Sequence, residues 1–255
     1  MRPRHTTQRG KPTHKPLALN DKWLILATIG LILIGLMMVA SSSVTISTKL
    51  FHQPFHFLFH QVCYLVLGLT LALGVIRTDI ETWNKLSTPL LLVTLLALLL
   101  VLIPGLGKLV NGSRRWLSLG IIGIQVSEVA KLSMILYTAA YLVRQQATVM
   151  TDILSFLKPM FILSIIAVLL LLEPDFGATV VIASTVLMML FLAGVRLRYY
   201  SGLLLLTVIA FIILALSSPY RVARLTSFLD PWADQFNSGY QLTQSLIAFG
   251  RGGLT

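Results

Sequence analysis

Seven apolar stretches, at residues 23–40, 57–75, 86–103, 126–143, 159–172, 176–195 and 202–216, dominate the 255-residue chain. A membrane-crossing helix needs about 20 mostly apolar residues, with about 17–25 tolerated. The stretch 159–172 falls short of that and must borrow residues at its ends. Lipid offers the backbone no hydrogen-bond partners, so spans must satisfy their own N–H and C=O groups as helices. The expected fold is therefore all-α, a polytopic transmembrane helical bundle. Any charge retained inside such a bundle is costly and points to function.

Composition agrees. Charged residues make up 11% of the chain and hydrophobic residues 56%, whereas soluble domains carry about 25% charged residues. The net charge of +11 does not point to nucleic acid, because no basic surface interleaved with aromatics accompanies it. Six cations, Arg2, Arg4, Arg9, Lys11, Lys15 and Lys22, precede the first span, opposed by Asp21 alone. A basic segment beside a first span is a cytoplasmic anchor and can rest on anionic headgroups. It is too long, and its apolar neighbour too extended, for a cleavable signal peptide. Cys63 lies within the second stretch, has no second cysteine to pair with, and reads as a lipid-facing or packing residue.

This orientation divides the chain into a basic cytoplasmic tail (1–22), a bundle of seven spans (23–217) and an extracytoplasmic loop (218–255). It places Lys108, Arg114, Arg115, Lys131, Arg221 and Arg224 on the outside, the side that membrane topology disfavours for cations. An anionic ligand there would supply the reason. The last segment contains Pro219, Pro231 and a weakly amphipathic helix candidate at 240–249, with Leu242, Leu246 and Phe249 at helical spacing.

Four short constellations carry the polar chemistry. Residues 111–116 read Asn-Gly-Ser-Arg-Arg-Trp, a turn signal followed by paired arginines and an interfacial tryptophan. The guanidinium fork suits phosphate; contact with lipid headgroups is the alternative. In 125–131, Gln-Val-Ser-Glu-Val-Ala-Lys, a helix places Glu128 and Lys131 three residues apart on one face. They form either a packing ion pair or the wall of a polar cavity. Residues 173–177, Glu-Pro-Asp-Phe-Gly, set two carboxylates between two spans. Asp175 there either caps the following helix or joins Glu173 as metal ligand or acid–base pair; the cap is favoured. In 218–232, Arg221 and Arg224 share a helical face that Asp230-Pro231 must end. His52, His56 and His60 have metal-like spacing, but Pro54 interrupts them and phenylalanines surround them, so an aromatic interface belt is the preferred reading.

Taken together and in order, these stretches, with Gly-Tyr-Gln-Leu-Thr-Gln-Ser at 239–245, resemble the shape, elongation, division and sporulation family of peptidoglycan polymerases. The resemblance runs from about residue 20 to Thr255. The basic tail and the segment 244–252 look more like the family's cell-division member than its elongation member. The resemblance implies a septal inner-membrane enzyme that polymerises lipid II and releases undecaprenyl diphosphate, working beside a class B penicillin-binding transpeptidase and other division proteins. It implies substrate-binding roles for Arg114, Arg115, Lys131, Arg221 and Arg224, with Glu128 as a cavity carboxylate that positions Lys131 or a divalent cation. No cofactor is assigned beyond that possible cation. Family members have about ten spans, and their proposed catalytic aspartate lies in a Pro-Glu-x-His-Thr-Asp motif that this chain lacks. The 255 residues are therefore expected to be the front portion of a longer protein, to hold no catalytic base and to be inactive alone. A lipid-linked precursor transporter and a division scaffold are the rival readings.

Overall fold

A computed structural model describes residues 22–110, 113–119, 122–149 and 152–252. The basic tail before Lys22, Asn111 and Gly112 of the arginine constellation, and residues 253–255 lie outside the described residues. Two compact units divide at Thr78 and Asp79.

The first unit pairs α1 (Lys22–Phe51) with α2 (His56–Arg77). Its two helices bury one residue between them, Ser47, whose hydroxyl donates to the Gln53 carbonyl at 2.5 Å. Pro54 stops α1 from continuing, because the residue before a proline is driven out of helical geometry. Around that turn Phe51 stacks on His56 at 4.0 Å and His56 lies 4.4 Å from His60, so His56 and His60 join an aromatic cluster. Cys63 is exposed on α2.

The second unit holds α3 (Ile80–Leu102), a three-stranded sheet, α4 (Val126–Arg144), α5 (Gln146–Val149), α6 (Ile153–Leu172), α7 (Phe176–Leu192), α8 (Leu197–Leu216), α9 (Pro219–Leu229) and α10 (Tyr240–Arg251). Its core is built where α3, α4, α6 and α7 meet, from Leu98, Val101, Ala130, Met134, Ile166, Leu170, Val186 and Leu190, all without measurable exposure. Small polar side chains, Thr94, Ser127 and Ser133, sit in the same interfaces. Close packing and local hydrogen bonds hold such helices together in lipid, where apolar burial gives no net drive.

Every apolar stretch falls on a helix. Six helices are long and apolar enough to span a bilayer, and the seventh, α7, has 17 residues. The short stretch at 159–172 borrows from its N-terminal side, beginning at Ile153. Pro159 then lies inside α6 and cannot donate to the Ser155 carbonyl. The Tyr141 hydroxyl of α4 supplies that bond instead, at 2.7 Å. The helix start is anchored by Asp152, whose carboxylate accepts from Leu154 N and Ser155 N at 3.3 and 3.1 Å.

The segment between α3 and α4, which the all-α expectation did not anticipate as strand, contains a sheet. β1 (Gly107–Val110), β2 (Ser113–Leu119) and β3 (Ile122–Gln125) form an antiparallel meander with β2 at its centre. Its seat on α3 requires glycine at 107, because a Cβ there would stand 2.2 Å from the Val101 carbonyl oxygen. The sheet, the start of α4, the turn between α6 and α7, and the junction of α8 with α9 therefore share one end of this unit. The Arg144 guanidinium bonds to the Asn84 side chain at 3.1 Å at the other end.

Candidate functional site

The polar side chains of the sheet end converge on one turn, Glu173-Pro174-Asp175-Phe176. Arg115 reaches it from β2. Lys108 pairs with Trp116 and Leu109 with Arg114, so Arg115 is the extra residue of a bulge. Bulges re-aim a side chain out of the regular alternation of a strand. Arg115 Nε donates to the Glu173 carbonyl at 3.2 Å, and Nη2 donates to the Pro174 carbonyl. Its Nη1 lies 3.9 Å from Asp175 Oδ1. The guanidinium thus clamps two successive carbonyls of the turn and sets its charge beside the aspartate.

Asp175 also caps α7 through a bond from Ala178 N at 3.3 Å, as its position before the helix predicts. Its Oδ2 and both Glu173 carboxyl oxygens are buried without hydrogen-bond partners among the described residues. Glu173 closes the C-terminus of α6, beyond its spanning residues, and is 1% exposed. Burial pushes its carboxyl up to about 8 from an ordinary 4.5, the Asp175 charge adds to the rise, and Arg115 opposes it. At neutral pH Glu173 is therefore mostly a neutral acid.

Arg221 approaches the same turn from α9. Its guanidinium carbon sits 5.6 Å from the centre of the Phe176 ring, close enough for a cation–π contact. Its Nη1 donates to the Leu214 carbonyl of α8. Phe176 in turn packs edge-on against Phe211 of α8 at 5.8 Å. Arg115 and Arg221 thus meet different residues of one turn, bringing three of the four sequence constellations together.

The fourth constellation closes on itself. Lys131 Nζ bonds to Glu128 Oε1 at 2.7 Å, with the lysine side chain 29% and the glutamate 61% exposed. The spacing of three residues on the first turns of α4 is what places them together. Gln125 Nε2 donates to Ser127 Oγ at 2.9 Å just before them. Arg114, half-buried on β2, is in none of the ion pairs among the described residues. Arg224 belongs to α9, but its side chain lies outside the described residues. Among the described residues no three His, Cys, Asp or Glu side chains gather as metal ligands; Glu173 and Asp175 are the carboxyl pair of this site. Neither was assigned to the site from the sequence. Their signal was present in the Glu-Pro-Asp spacing, but nothing local distinguishes a buried carboxyl from a solvated helix cap.

Six apolar helices of spanning length, with a buried cation–carboxyl cluster where several of them end, define a multi-pass α-helical membrane protein. Residues 22–255 match the profile of the FtsW, RodA and SpoVE group, described as cell cycle protein, and the chain belongs to that family. It is 69% identical over 99% of its length to a Legionella pneumophila protein named "Probable peptidoglycan glycosyltransferase FtsW". A Coxiella burnetii protein of the same name is 56% identical over 92% of the chain. The chain spans 64% and 63% of those relatives' own lengths. Among solved structures it resembles one reported as "Structural coordination of polymerization and crosslinking by a peptidoglycan synthase complex", with TM-score 0.68 and 29% identity over 92% of this chain and 67% of that one. The Thermus thermophilus rod shape determining protein RodA is similar over 72% of this chain and 58% of its own, with TM-score 0.54 and 26% identity.

Proposed function

We propose that this chain belongs to a peptidoglycan glycosyltransferase of cell division, which joins the saccharide of lipid II to a glycan strand and releases undecaprenyl diphosphate. The observation that carries this reading is the convergence of Arg115 and Arg221 on the 173–176 turn. With Glu173 mostly neutral, Asp175 is, among the described residues, the other carboxyl of the turn set against two guanidinium groups. The turn keeps a net positive charge, and each guanidinium, with five N–H donors, has donors left after its carbonyl contacts. A developing diphosphate leaving group is stabilised by such preorganised donors.

In this reading Lys131, held by Glu128, and Arg114 and Arg224 are further substrate-binding cations, and a divalent cation can join the diphosphate. Glycosyl transfer also needs a base for the acceptor hydroxyl, to which no residue of this chain is assigned. The sheet end faces outward and the basic tail lies in the cytoplasm, with 23–217 as the membrane bundle and 218–255 on the outer surface. A class B penicillin-binding transpeptidase at the septum is the proposed partner.

The test is lipid II polymerisation by the full-length protein carrying Arg115→Ala or Lys131→Ala. Loss of product at both positions supports a diphosphate site. Rates equal to wild type at both remove it.

A further inference from the structure

A narrow apolar slot opens between α3 and α4, at the end of the second unit opposite the sheet. Ile80 and Trp83 line it from the start of α3, and Leu136, Ala139, Ala140 and Val143 from the last turns of α4. Those α4 positions run about 10 Å along the helix. The small side chains of Ala139 and Ala140 leave the gap that the larger residues around them frame. The slot encloses about 170 Å³. An apolar cavity of about 150 Å³ takes a guest the size of benzene, so this one takes a run of about six methylene carbons.

A cation stands at the mouth of the slot. Arg144 follows Val143 and closes α4. Its Nη1 donates to Asn84, the polar residue of the lining, at 3.1 Å to the side-chain Oδ1 and 3.5 Å to the backbone carbonyl. Both acceptors are neutral, and Arg144 is in none of the ion pairs among the described residues. The acids at the start of α3 are otherwise occupied. Glu81 pairs with Lys85 at 3.0 Å, and Asp79 is engaged too. The guanidinium is thus held in place by an uncharged partner, exposed, with its charge uncompensated and donors left over from its five. Half-buried Trp83, one residue before Asn84, brings an indole, the ring that settles at headgroup level in a bilayer. A fixed phosphate-binding cation, an interfacial indole and an apolar slot match the three layers of one phospholipid: headgroup, ester region and upper acyl chain. With Glu81 and Asp79 occupied, the amine of a zwitterionic headgroup gains nothing here, which favours a lipid of net negative charge.

We infer that the α3–α4 slot and Arg144 form a site for a single anionic phospholipid. It lies in the leaflet that meets this end of the unit, the cytoplasmic leaflet in the orientation proposed above, where anionic lipids give the surface its negative potential. Arg144, positioned by Asn84, holds the phosphate, and one acyl chain lies in the slot against Ala139. The site is at the opposite end of the unit from Arg115, and the inference does not depend on the glycosyltransferase reading.

Native mass spectrometry of the full-length protein in detergent tests this with phosphatidylglycerol and phosphatidylcholine of matched chains. The first phosphatidylglycerol is expected to bind about fivefold more tightly than phosphatidylcholine, the scale of one basic side chain at a membrane surface. Arg144→Gln, at an exposed position, should erase that preference, and Arg144→Lys should keep part of it. Ala139→Leu fills the slot and leaves the charge alone, so it should weaken both lipids by a similar factor. An unchanged unfolding temperature shows that each variant is folded. Glycerol phosphate in excess, a headgroup without chains, should not displace phosphatidylglycerol from the wild-type protein. Equal affinity of the wild-type protein for the two lipids, a preference kept in Arg144→Gln, or binding unchanged in Ala139→Leu overturns the site. Displacement by glycerol phosphate overturns it as well, because the site would then take free phosphate and need no acyl chain.

Discussion

Two cations at the sheet end illustrate two ways a membrane protein holds charge. Lys131 finds its partner three residues away on its own helix, at 2.7 Å, with the pair half open to its surroundings. Arg115 finds its partners 58 and 59 residues away, on a turn between two other helices, beside carboxyls that are buried. The first contact costs little to form, because the helix has already placed both side chains. The second requires a bulged strand, two helix ends and a glycine-dependent seat on α3 to be in place together. A local pair is therefore replaceable without disturbing the fold, whereas the Arg115 clamp ties folding to the site.

The largest effect should come from Arg115→Ala. It leaves buried Asp175 without its cation and frees two turn carbonyls, so folding stability should fall by about 3 kcal/mol, the scale of breaking a buried pair. Thermal unfolding in detergent measures this. Arg115→Lys should recover only part of the loss, since an ammonium cannot span both carbonyls. Next is Asp175→Ala, which removes the α7 cap and should cost about 1 kcal/mol in the same assay. Asp175→Asn should keep the cap.

Glu173 sharpens the comparison through pH. Its folded-state pKa, about 8, lies above its ordinary 4.5. Between those values the folded protein holds a proton that the unfolded chain has lost, so stability should decline as pH rises from about 4.5 to about 8. Glu173→Gln, which mimics the neutral acid, should flatten that decline. An equally steep decline in the variant would place the titration elsewhere. The smallest stability effect belongs to Lys131→Ala, below about 1 kcal/mol for a partly exposed pair. If it destabilises as much as Arg115→Ala, the distinction between a local and a tied-in cation fails.

Much of the scaffold was legible from the chain. All seven apolar stretches became helices, α6 took its missing residues from 153–158, α9 stopped at Leu229 before Asp230-Pro231, and α10 appeared where Leu242, Leu246 and Phe249 recur. These are local properties, governed by periodicity, proline and apolar length. The Glu128–Lys131 contact was legible for the same reason. Apolar length did not reveal which helices form a core. α1 and α6 are similarly apolar, yet α1 buries Ser47 alone while α6 buries eight residues. Leucine facing lipid and leucine facing another helix give one sequence signal. The sheet was missed because Pro104 and five glycines break up the 104–125 segment, and a strand there gains its stability from pairing and from its seat on α3.

The amino-acid order alone determined that the backbone must close its hydrogen bonds inside helices, where those helices start and stop, and which polar groups stand near their ends. It did not determine that Arg115 bulges out of a strand to grip the α6–α7 turn, or that Glu173 loses contact with water. Those outcomes depend on groups about 60 residues apart in the chain arriving at one place. The protonation of a carboxyl and the direction of a guanidinium follow from what surrounds them in space, and periodicity carries no record of that.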